Sequence, residues 1–454
     1  MTLPRYPAYK DSGVEWLGEV PEHWVESRIK ASLASIRNGD WGNEPQNAPI
    51  ICVRVADFDR QKFAVDLGNE PTLREYDFDK ILGRTLSVGD LLIEKSGGGE
   101  NQLVGAVVYC GLECEGAMHS NFTARMQPEP TFVSRFLVYV FAATYHARLN
   151  LRSIKQSTGI QNLDSNQYLA ERWYWPHPEE QAAIATFLDY ETSKIDALIA
   201  EQKNLIALLK EKRQAVISHA VTKGLNPDVP MKDSGVEWLG EVPEHWKIGS
   251  LKHALEVVAD VDHYMPSSVD SGVPYVMTGD LRKLASEIDL GSCKQITRED
   301  FLKLTRKIRT SKGDVIMARY ATIGSVSYVD IDAEFVVSYS CVTIRPRVES
   351  AIGIYLFFYF QSDAFIQGIS KMINANTQEN VGIGDLKEVK VALPDTNEQK
   401  AIVRDLESKL VQLDRIAKDL EAAIRLLVER RSALISAAVT GKIDVRGLVA
   451  QEAA

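Results

Sequence analysis

Two pairs of short polar segments carry the side chains of this chain that could bind nucleic acid. Residues 95–102 and 155–158 form the first pair, and residues 319–322 and 374–378 form the second. Arg, Lys, Asn and Gln can bind base edges, whereas Ser and Thr bind phosphates. We predict that these segments are loops, and polar loops without a binding role are the alternative interpretation. Together with the nearby Arg152, the segments predict the following DNA-binding residues: Lys95, Ser96, Asn101, Gln102, Arg152, Lys155, Gln156, Ser157, Arg319, Tyr320, Thr322, Asn374, Asn376 and Thr377.

A basic run in the second half of the chain supports the same interpretation. The net charge of the whole chain is −10, which is unusual for a nucleic-acid-binding protein, but the distribution of charge matters more than its sum. Between Leu302 and Arg319 only Asp314 opposes the basic residues. A charged surface that contacts only water is the alternative. We add four residues of this run to the predicted DNA-binding set: Arg306, Lys307, Arg309 and Lys312.

Sequence motifs for catalysis are missing. The chain has no Asn-Pro-Pro-aromatic or Asp-Pro-Pro-aromatic segment for amino methylation, no phosphate-binding Gly-Lys-Ser/Thr loop and no zinc-type Cys/His spacing. Pro394-Asp395 followed by Glu398 resembles a nuclease metal site, but these carboxylates lie too close together in sequence at a helix start. Asp395 or Thr396 is better explained as a helix N-cap. The sequence therefore predicts no catalytic residue and no metal ligand.

The element that positions these segments is a duplicated frame. Residues Lys10–Trp24 recur without change as Lys232–Trp246, 222 positions later. Glu-Gln at the start of one long helical segment, Glu180-Gln181, recurs 218 positions later as Glu398-Gln399. This period is far longer than a solenoid repeat. The sequence thus predicts a tandem duplication with internal pseudo-two-fold symmetry, carrying two variable inserts at about 25–175 and 247–393.

Each copy ends in a long helical segment with a heptad pattern. Neither segment contains an internal Gly or Pro after its start, and each would be roughly 65 Å long. Antiparallel pairing of the two copies within one chain is the favoured geometry, and an intermolecular coiled coil is the alternative. The residues predicted to pack between the helices are Leu188, Ile195, Leu209 and Val216 of the first copy and Leu406, Leu413, Leu420, Leu427 and Leu434 of the second.

Alternating short strands, followed by one apolar helical stretch in each insert at 132–145 and 351–369, predict an α+β fold for each insert. The resulting segmentation is a first domain at 1–175, a long helix at 176–224, a second domain at 225–393, a second long helix at 394–445 and a tail at 446–454. Hydrophobic residues form 45% of the chain and charged residues 25%, as in globular proteins. The first residues have no apolar signal region, and five irregularly spaced cysteines indicate a reducing compartment. We therefore expect a cytoplasmic protein without a membrane span.

These features together resemble a known family, the specificity subunits of type I restriction–modification systems. The resemblance covers essentially the whole chain. It is carried by Trp-Leu-Gly-Glu-Val-Pro-Glu-His-Trp before each insert, by the Gly-Asp turns at 89–90 and 313–314, by Glu-Gln at each helix start and by Arg-x-Ala-Leu/Val-Ile-Ser near each helix end. The Lys95-Ser-Gly-Gly-Gly segment of the first insert is longer than the form usual in the family.

The resemblance implies a non-catalytic reader of double-stranded DNA. Each insert would be a target recognition domain for one half of a split sequence, and the two helices would be an antiparallel coiled-coil spacer. Two modification subunits would bind the frame and methylate adenine with S-adenosylmethionine. Restriction subunits would add ATP- and Mg-dependent cleavage, and this chain itself would bind no cofactor. The alternatives are an orphan or methylation-only specificity protein, a coiled-coil scaffold that does not bind DNA and, least favoured, a self-contained enzyme.

Overall fold

Contacts between residues divide the chain into two units, each of which contains one predicted insert. The structure is a computed structural model and describes residues 3–98, 102–157, 159–319, 325–372 and 381–448. The first unit comprises Met1–Glu201 and Ala422–Ala454, and the second comprises Gln202–Glu421. This division cuts both long helices, so each unit contains half of each helix. The segmentation drawn from the sequence had instead treated the helices as separate segments.

The first unit combines several small sheets with one buried helix and the first long helix. Its helices are α1 (Phe78–Ile81), α2 (Ser134–His146), α3 (Ser165–Tyr168) and the first half of α4 (Pro178–Lys223). Its strands are β1 (Tyr9–Asp11), β2 (Glu19–Pro21), β3 (Val25–Arg28), β4 (Leu33–Asn38), β5 (Ile50–Val53), β6 (Phe58–Asp59), β7 (Ala64–Val65), β8 (Leu73–Arg74), β9 (Leu91–Glu94), β10 (Ser96–Gly97), β11 (Val107–Tyr109), β12 (Met118–His119), β13 (Thr123–Pro128), β14 (Ile154–Ser157), β15 (Ile160–Leu163) and β16 (Arg172–Trp175).

The second unit has the same plan with a broken helix in place of α2. Its helices are α5 (Arg298–Leu304), α6 (Gly353–Tyr359), α7 (Asp363–Met372), α8 (Ile383–Glu388) and the first half of α9 (Thr396–Val439). Its strands are β17 (Met231–Asp233), β18 (Glu241–Pro243), β19 (Lys247–Ser250), β20 (Leu255–Ala259), β21 (Val273–Val276), β22 (Lys294–Ile296), β23 (Val315–Ala318), β24 (Val326–Tyr328), β25 (Val336–Val337), β26 (Cys341–Pro346) and β27 (Lys390–Leu393).

The sheets of the two inserts correspond strand by strand. In the first unit β4, β13, β9 and β11 are antiparallel neighbours in that order, and β20, β26, β23 and β24 repeat the order in the second. The first unit extends this sheet through β7 and β6. A smaller sheet also recurs, because β5 pairs parallel with β12 and antiparallel with β8, as β21 does with β25 and β22. These correspondences confirm the predicted duplication and the α+β fold class.

The core of each unit forms where an apolar helix covers the larger sheet. All four residues of β9 are buried, and so are all four of β23. In α2 the residues from Phe136 to Thr144 are buried on every side, which is expected for a helix that is apolar all round. The matching apolar stretch of the second unit breaks into α6 and α7, where buried Ser362 accepts from the amide of Phe365 at 3.2 Å. The sequence had predicted one continuous helix there.

Long helices pair antiparallel within each unit. In the first unit Arg431 Nε lies 3.0 Å from Asp196 Oδ1, and in the second Arg213 Nη1 lies 2.7 Å from Asp414 Oδ1. Each member of one ion pair is 218 positions from its counterpart in the other, so the pairing is duplicated with the sequence. Every residue predicted to pack between the helices is buried or half-buried.

Helix α9 begins at the predicted cap. Asp395 Oδ1 accepts from the amides of Asn397 and Glu398, both at 2.9 Å, and these bonds lower the pKa of the Asp395 carboxyl. This confirms the capping interpretation of the Pro394-Asp395 segment. Helix α4 begins instead with Pro178 at its first position, where the missing amide hydrogen has no consequence.

The glutamate of the Glu-Gln pair at each helix start binds two side chains of the repeated segment. Glu180 accepts from Trp24 Nε1 at 2.9 Å, and Glu398 accepts from Trp246 Nε1 at 3.1 Å. His23 and His245 each place Nε2 2.8 Å from the second oxygen of the same carboxylate. The glutamate therefore holds the repeated fifteen-residue segment against the helix start in both units.

The neighbouring glutamine holds the start of the apolar helix. Gln181 Oε1 accepts from the amide of Val133 at 3.0 Å, just before α2. Gln399 Oε1 accepts from the amide of Ile352 at 3.0 Å, just before α6. Two adjacent side chains thus fix both the repeated segment and the insert relative to one helix end, which explains why this dipeptide recurs.

Candidate nucleic-acid interface

Two predicted polar segments of the first insert meet in one small sheet. β15 pairs antiparallel with β14 on one side and with β10 on the other. The segment beginning at Lys95 and the segment that contains Lys155 and Gln156 therefore lie on opposite sides of β15 in one sheet. The sequence had predicted loops in both places. They are short strands instead, because the hairpin of β14 and β15 supplies backbone partners to residues that have little strand propensity of their own.

The side chains of this sheet have local polar partners. Ser96 Oγ donates to Asn162 Oδ1 at 2.7 Å, and Lys95 Nζ donates to Asn38 Oδ1 at 2.6 Å. Lys155 Nζ lies 2.9 Å from Asp164 Oδ2, although 74% of its side chain remains exposed. Gln156 and Arg152 are exposed as well. The sheet therefore presents cations and amides to solvent, which is the composition needed to contact phosphates and base edges.

An ion pair with a buried carboxylate directly precedes Lys95 in the chain. Glu94 is 1% exposed, and Arg60 Nη2 lies 2.6 Å from its Oε2. Burial raises the pKa of the Glu94 carboxyl, and the nearby Arg60 guanidinium opposes that change. Gln102, oriented so that its oxygen faces a donor, accepts from Arg60 Nε at 2.6 Å. Arg60 and Glu94 were missed by the sequence analysis, although a charged residue ending the apolar run Leu91-Leu-Ile-Glu94 was a usable signal.

Acidic residues from outside the basic run neutralise much of it in the second insert. Lys307 Nζ lies 2.6 Å from Asp262 Oδ1, which lowers the pKa of the Asp262 carboxyl and raises that of Lys307. Arg309 and Arg298 both form ion pairs with Glu334. Within the run itself the sequence showed a single opposing acid. The fold adds the others, because they lie next to the run in space but not in sequence.

The predicted residues differ in how the structure presents them. Arg306 and Lys312 are exposed, whereas Arg319 is 8% exposed and forms an ion pair with Asp260. Arg319 Nε also donates to the carbonyl of Val381 at 2.9 Å. Of Ser157 the structure describes only the backbone. The remaining predicted residues lie outside the described residues: Asn101, Tyr320, Thr322, Asn374, Asn376 and Thr377.

Other kinds of site find little support in the described part of the chain. No group of His, Cys, Asp and Glu side chains there could hold a metal ion. All five cysteines are buried free thiols. No helix in the described ranges has the length and apolar character needed to cross a membrane.

Comparisons with known proteins identify the family. Residues 244–430, which cover the second insert and most of α9, match the family model of the type I restriction modification DNA specificity domain. Over 449 residues the chain is 20% identical to the EcoBI specificity subunit of Escherichia coli, a match that covers 96% of this chain and 90% of that protein. Residues 244–430 therefore match a type I DNA specificity domain, and almost the whole chain is similar to type I restriction enzyme specificity subunits.

Comparison with solved structures shows that the chain also has the expected fold. A chain from a structure on complex assembly and conformational transition of the type I R-M system has a TM-score of 0.67 at 13% identity, covering 94% of this chain and 99% of that one. The HsdS subunit from Thermoanaerobacter tengcongensis gives 0.51 at 15% identity, covering 93% and 98%. At these identities the likeness concerns the fold alone. It extends over both inserts and both long helices.

Proposed function

We propose that each insert of this specificity subunit binds one half of a two-part double-stranded DNA target. The observation that carries the proposal is the pair of matching sheets whose strand ends carry different polar side chains. A common sheet would place both inserts on DNA in the same way, and different side chains would select different half-sequences. The chain itself would catalyse no reaction, and adenine methylation and restriction would be performed by partner subunits.

The partners follow from the same proposal. Two modification subunits would bind the duplicated frame and use S-adenosylmethionine, and restriction subunits would use ATP and Mg. The complex would act in the cytoplasm on foreign DNA. The long helices would set the spacing between the half-sequences. A duplicated frame supports two equivalent partners, because each copy offers the same fifteen-residue segment and the same helix start.

The proposed DNA contacts differ between the two inserts. In the first insert, Lys95, Ser96, Gln156 and Lys155 belong to one polar sheet and would form a continuous contact, with Arg152 and Gln102 at its margin. In the second insert, the exposed Arg306 and Lys312 would bind phosphates. Base reading there is proposed for the segments that contain Tyr320, Thr322, Asn374, Asn376 and Thr377.

An exchange of inserts tests this function. Residues 247–393 are replaced by a second copy of residues 25–175, and the chain is co-expressed with the modification subunit of the same host. We expect adenine methylation at an inverted repeat of the first half-sequence, because both copies then read the same bases. The reciprocal variant, with the second insert in both positions, should methylate an inverted repeat of the other half-sequence.

Sequencing of methylated adenines measures both outcomes. Methylation of the original asymmetric target by either variant would contradict the assignment of one half-sequence to each insert. If the unaltered chain with its modification subunit showed no salt-dependent binding to duplex DNA, the protein would not be a DNA reader.

A further inference from the structure

Two cations occupy equivalent positions in the two inserts. Lys95 directly follows β9, and Arg319 directly follows β23, the matching strand. The carbonyl of Lys95 accepts from the amide of Leu163 at 2.7 Å, and that of Arg319 accepts from the amide of Val381 at 3.0 Å. Leu163 and Val381 are 218 positions apart, as are other duplicated residues of the chain. The two cations therefore stand at the same place in the duplicated fold.

The acceptors that hold these cations are equivalent as well. Asn38 is the last residue of β4, and Asp260 follows the last residue of β20, the matching strand. Lys95 Nζ donates to Asn38 Oδ1 at 2.6 Å, and Arg319 Nη1 donates to Asp260 Oδ2. One geometry thus recurs with a neutral acceptor in the first unit and a charged acceptor in the second.

The difference between the two acceptors changes the local charge. An amide oxygen does not compensate the charge of Lys95. Among the residues that the structure describes, the adjacent Glu94 is already paired with Arg60. The carboxylate of Asp260 cancels the charge of Arg319 in a largely buried ion pair. His263 Nε2 also lies 3.6 Å from Asp260 Oδ2. The same position therefore presents a positive charge in the first insert and an ion pair in the second.

Mobility of the two cations should differ for the same reason. Lys95 can exchange an amide for a phosphate without leaving a buried charge behind. Arg319 would have to abandon Asp260 inside the fold, which is strongly unfavourable. Arg319 is also bound to Val381 in both directions, since its carbonyl accepts from the Val381 amide and its Nε donates to the Val381 carbonyl at 2.9 Å.

We propose that the residue that accepts a hydrogen bond from Lys95 or from Arg319 decides whether that cation contacts DNA. With Asn38 beneath it, Lys95 binds a DNA phosphate. With Asp260 beneath it, Arg319 is a positioning residue that fixes the backbone at Val381. The proposal rests on the proposed function as a DNA reader and adds to it which of two equivalent residues contacts DNA.

Exchange of the acceptors tests the proposal. The dependence of affinity on salt concentration is measured for the chain assembled with its modification subunits on target duplex. Asn38→Asp should hold Lys95 in an ion pair so that it cannot bind phosphate, and Lys95→Ala removes the cation. Each variant should therefore flatten the log–log salt slope by about 0.9, the value for one phosphate contact. The double variant should lose no more than either single variant. Lys30→Ala removes an exposed cation of the same insert that lies outside the polar sheet. It serves as the charge control and should leave the slope unchanged.

The second unit supplies the reciprocal experiment. Asp260→Asn combined with Arg319→Lys recreates the arrangement of the first unit and should steepen the slope by about 0.9. Arg319→Ala alone should leave the slope unchanged but broaden the set of methylated sequences, and only in the second half of the target. If Arg319→Ala does not fold, Asp260→Asn alone replaces it in this test. Thermal unfolding verifies that each variant is folded.

Distinct outcomes would overturn the proposal. Unchanged slopes for both Lys95→Ala and Asn38→Asp would show that Lys95 does not contact phosphate. A slope flattened by Arg319→Ala as much as by Lys95→Ala would make Arg319 a direct contact. In either case the unaltered complex still binds DNA with salt dependence, whereas failure of the proposed function itself would abolish that binding.

Discussion

The two copies of the repeated fifteen-residue segment have one sequence but different surroundings. In the second unit Glu398 accepts from Trp246, approaches His245 and keeps 28% of its side chain exposed. In the first unit Glu180 has the equivalent two partners and a third, because Tyr6 donates its hydroxyl at 2.7 Å, and only 7% of its side chain is exposed. Identical residues are therefore held with different strength, and residues outside the repeat cause the difference.

The segment after α9 also contacts the repeated segment and Tyr6 in the first unit. Arg446 lies over the Tyr6 ring at 4.9 Å, and Lys442 Nζ donates to the carbonyl of Leu17 at 2.7 Å. The segment after α9 thus packs against the first unit. Burial and the hydrogen bond to Glu180 raise the pKa of the Tyr6 hydroxyl, so it stays protonated and remains a donor.

The largest expected difference between the units concerns these two glutamates. Glu180→Ala removes the acceptor of two buried donors, Tyr6 and Trp24, and of the more exposed His23. It should lower the free energy of unfolding by about 3–4 kcal/mol. Glu398→Ala removes a more exposed acceptor with two donors and should cost about 1–2 kcal/mol. Each substitution serves as the control for the other, since both remove one charge from the first turn of a long helix. Equal losses in denaturant unfolding would show that Tyr6 adds nothing.

A buried histidine in the smaller sheet of the first unit has an apolar counterpart in the second unit. His119 in β12 is fully buried, and the matching residue of β25 is Val337. His119 Nδ1 lies 2.9 Å from the hydroxyl of Thr123, which itself donates to the carbonyl of Ser120. The ring must therefore donate through Nδ1, and Nε2 has no hydrogen-bond partner among the described residues. Burial, with Arg125 and Arg84 nearby, lowers the pKa of His119 to about 3.

This histidine should make the first unit sensitive to acid. Its folded pKa lies below the unfolded value of 6.5, so its contribution is complete above pH 6.5 and is lost as the pH falls toward 3. Between pH 7.5 and 5 the loss should be about 2 kcal/mol. His119→Val, which copies the second unit, should reduce the pH dependence of the unfolding free energy by that amount. Met118→Leu changes no titratable group and should keep it. An equal acid-induced loss in His119→Val would assign the effect to other groups.

The sequence was most informative for structural features that depend on residues close together along the chain. The heptads, the cap at Asp395 and the Glu-Gln pairs act over a few residues, so their spacing predicted the helices and their starting points. The pairing of β10 with the hairpin of β14 and β15 joins residues about 65 positions apart. Weak strand propensity gave no sign of it, and the segments had been predicted as loops.

Electrostatic partners show the same limitation more clearly. The run from Lys303 to Lys312 is basic in sequence, but the acids that neutralise it come from other elements, with Asp262 before β21 and Glu334 before β25. Asn38 and Asp260 were likewise undetectable as partners of the strand-end cations before the strand order was known. A charge pattern along a chain therefore predicts a candidate interface but not which of its cations remain available.

The smallest expected effect tests that distinction within the second unit. Arg306 and Lys312 are exposed, whereas Lys307 and Arg309 are held by Asp262 and Glu334. If the exposed pair binds two phosphates, Arg306→Ala with Lys312→Ala should flatten the log–log salt slope of DNA binding by up to about 1.8, or about 0.9 per contact. Lys307→Ala with Arg309→Ala removes the same charge from the same run and should change the slope much less, because those cations already have carboxylate partners. Since both double variants lower the net charge equally, long-range attraction to DNA is matched between them. Equal flattening by the two double variants would show that the ion pairs open on DNA and that the whole run contacts phosphate.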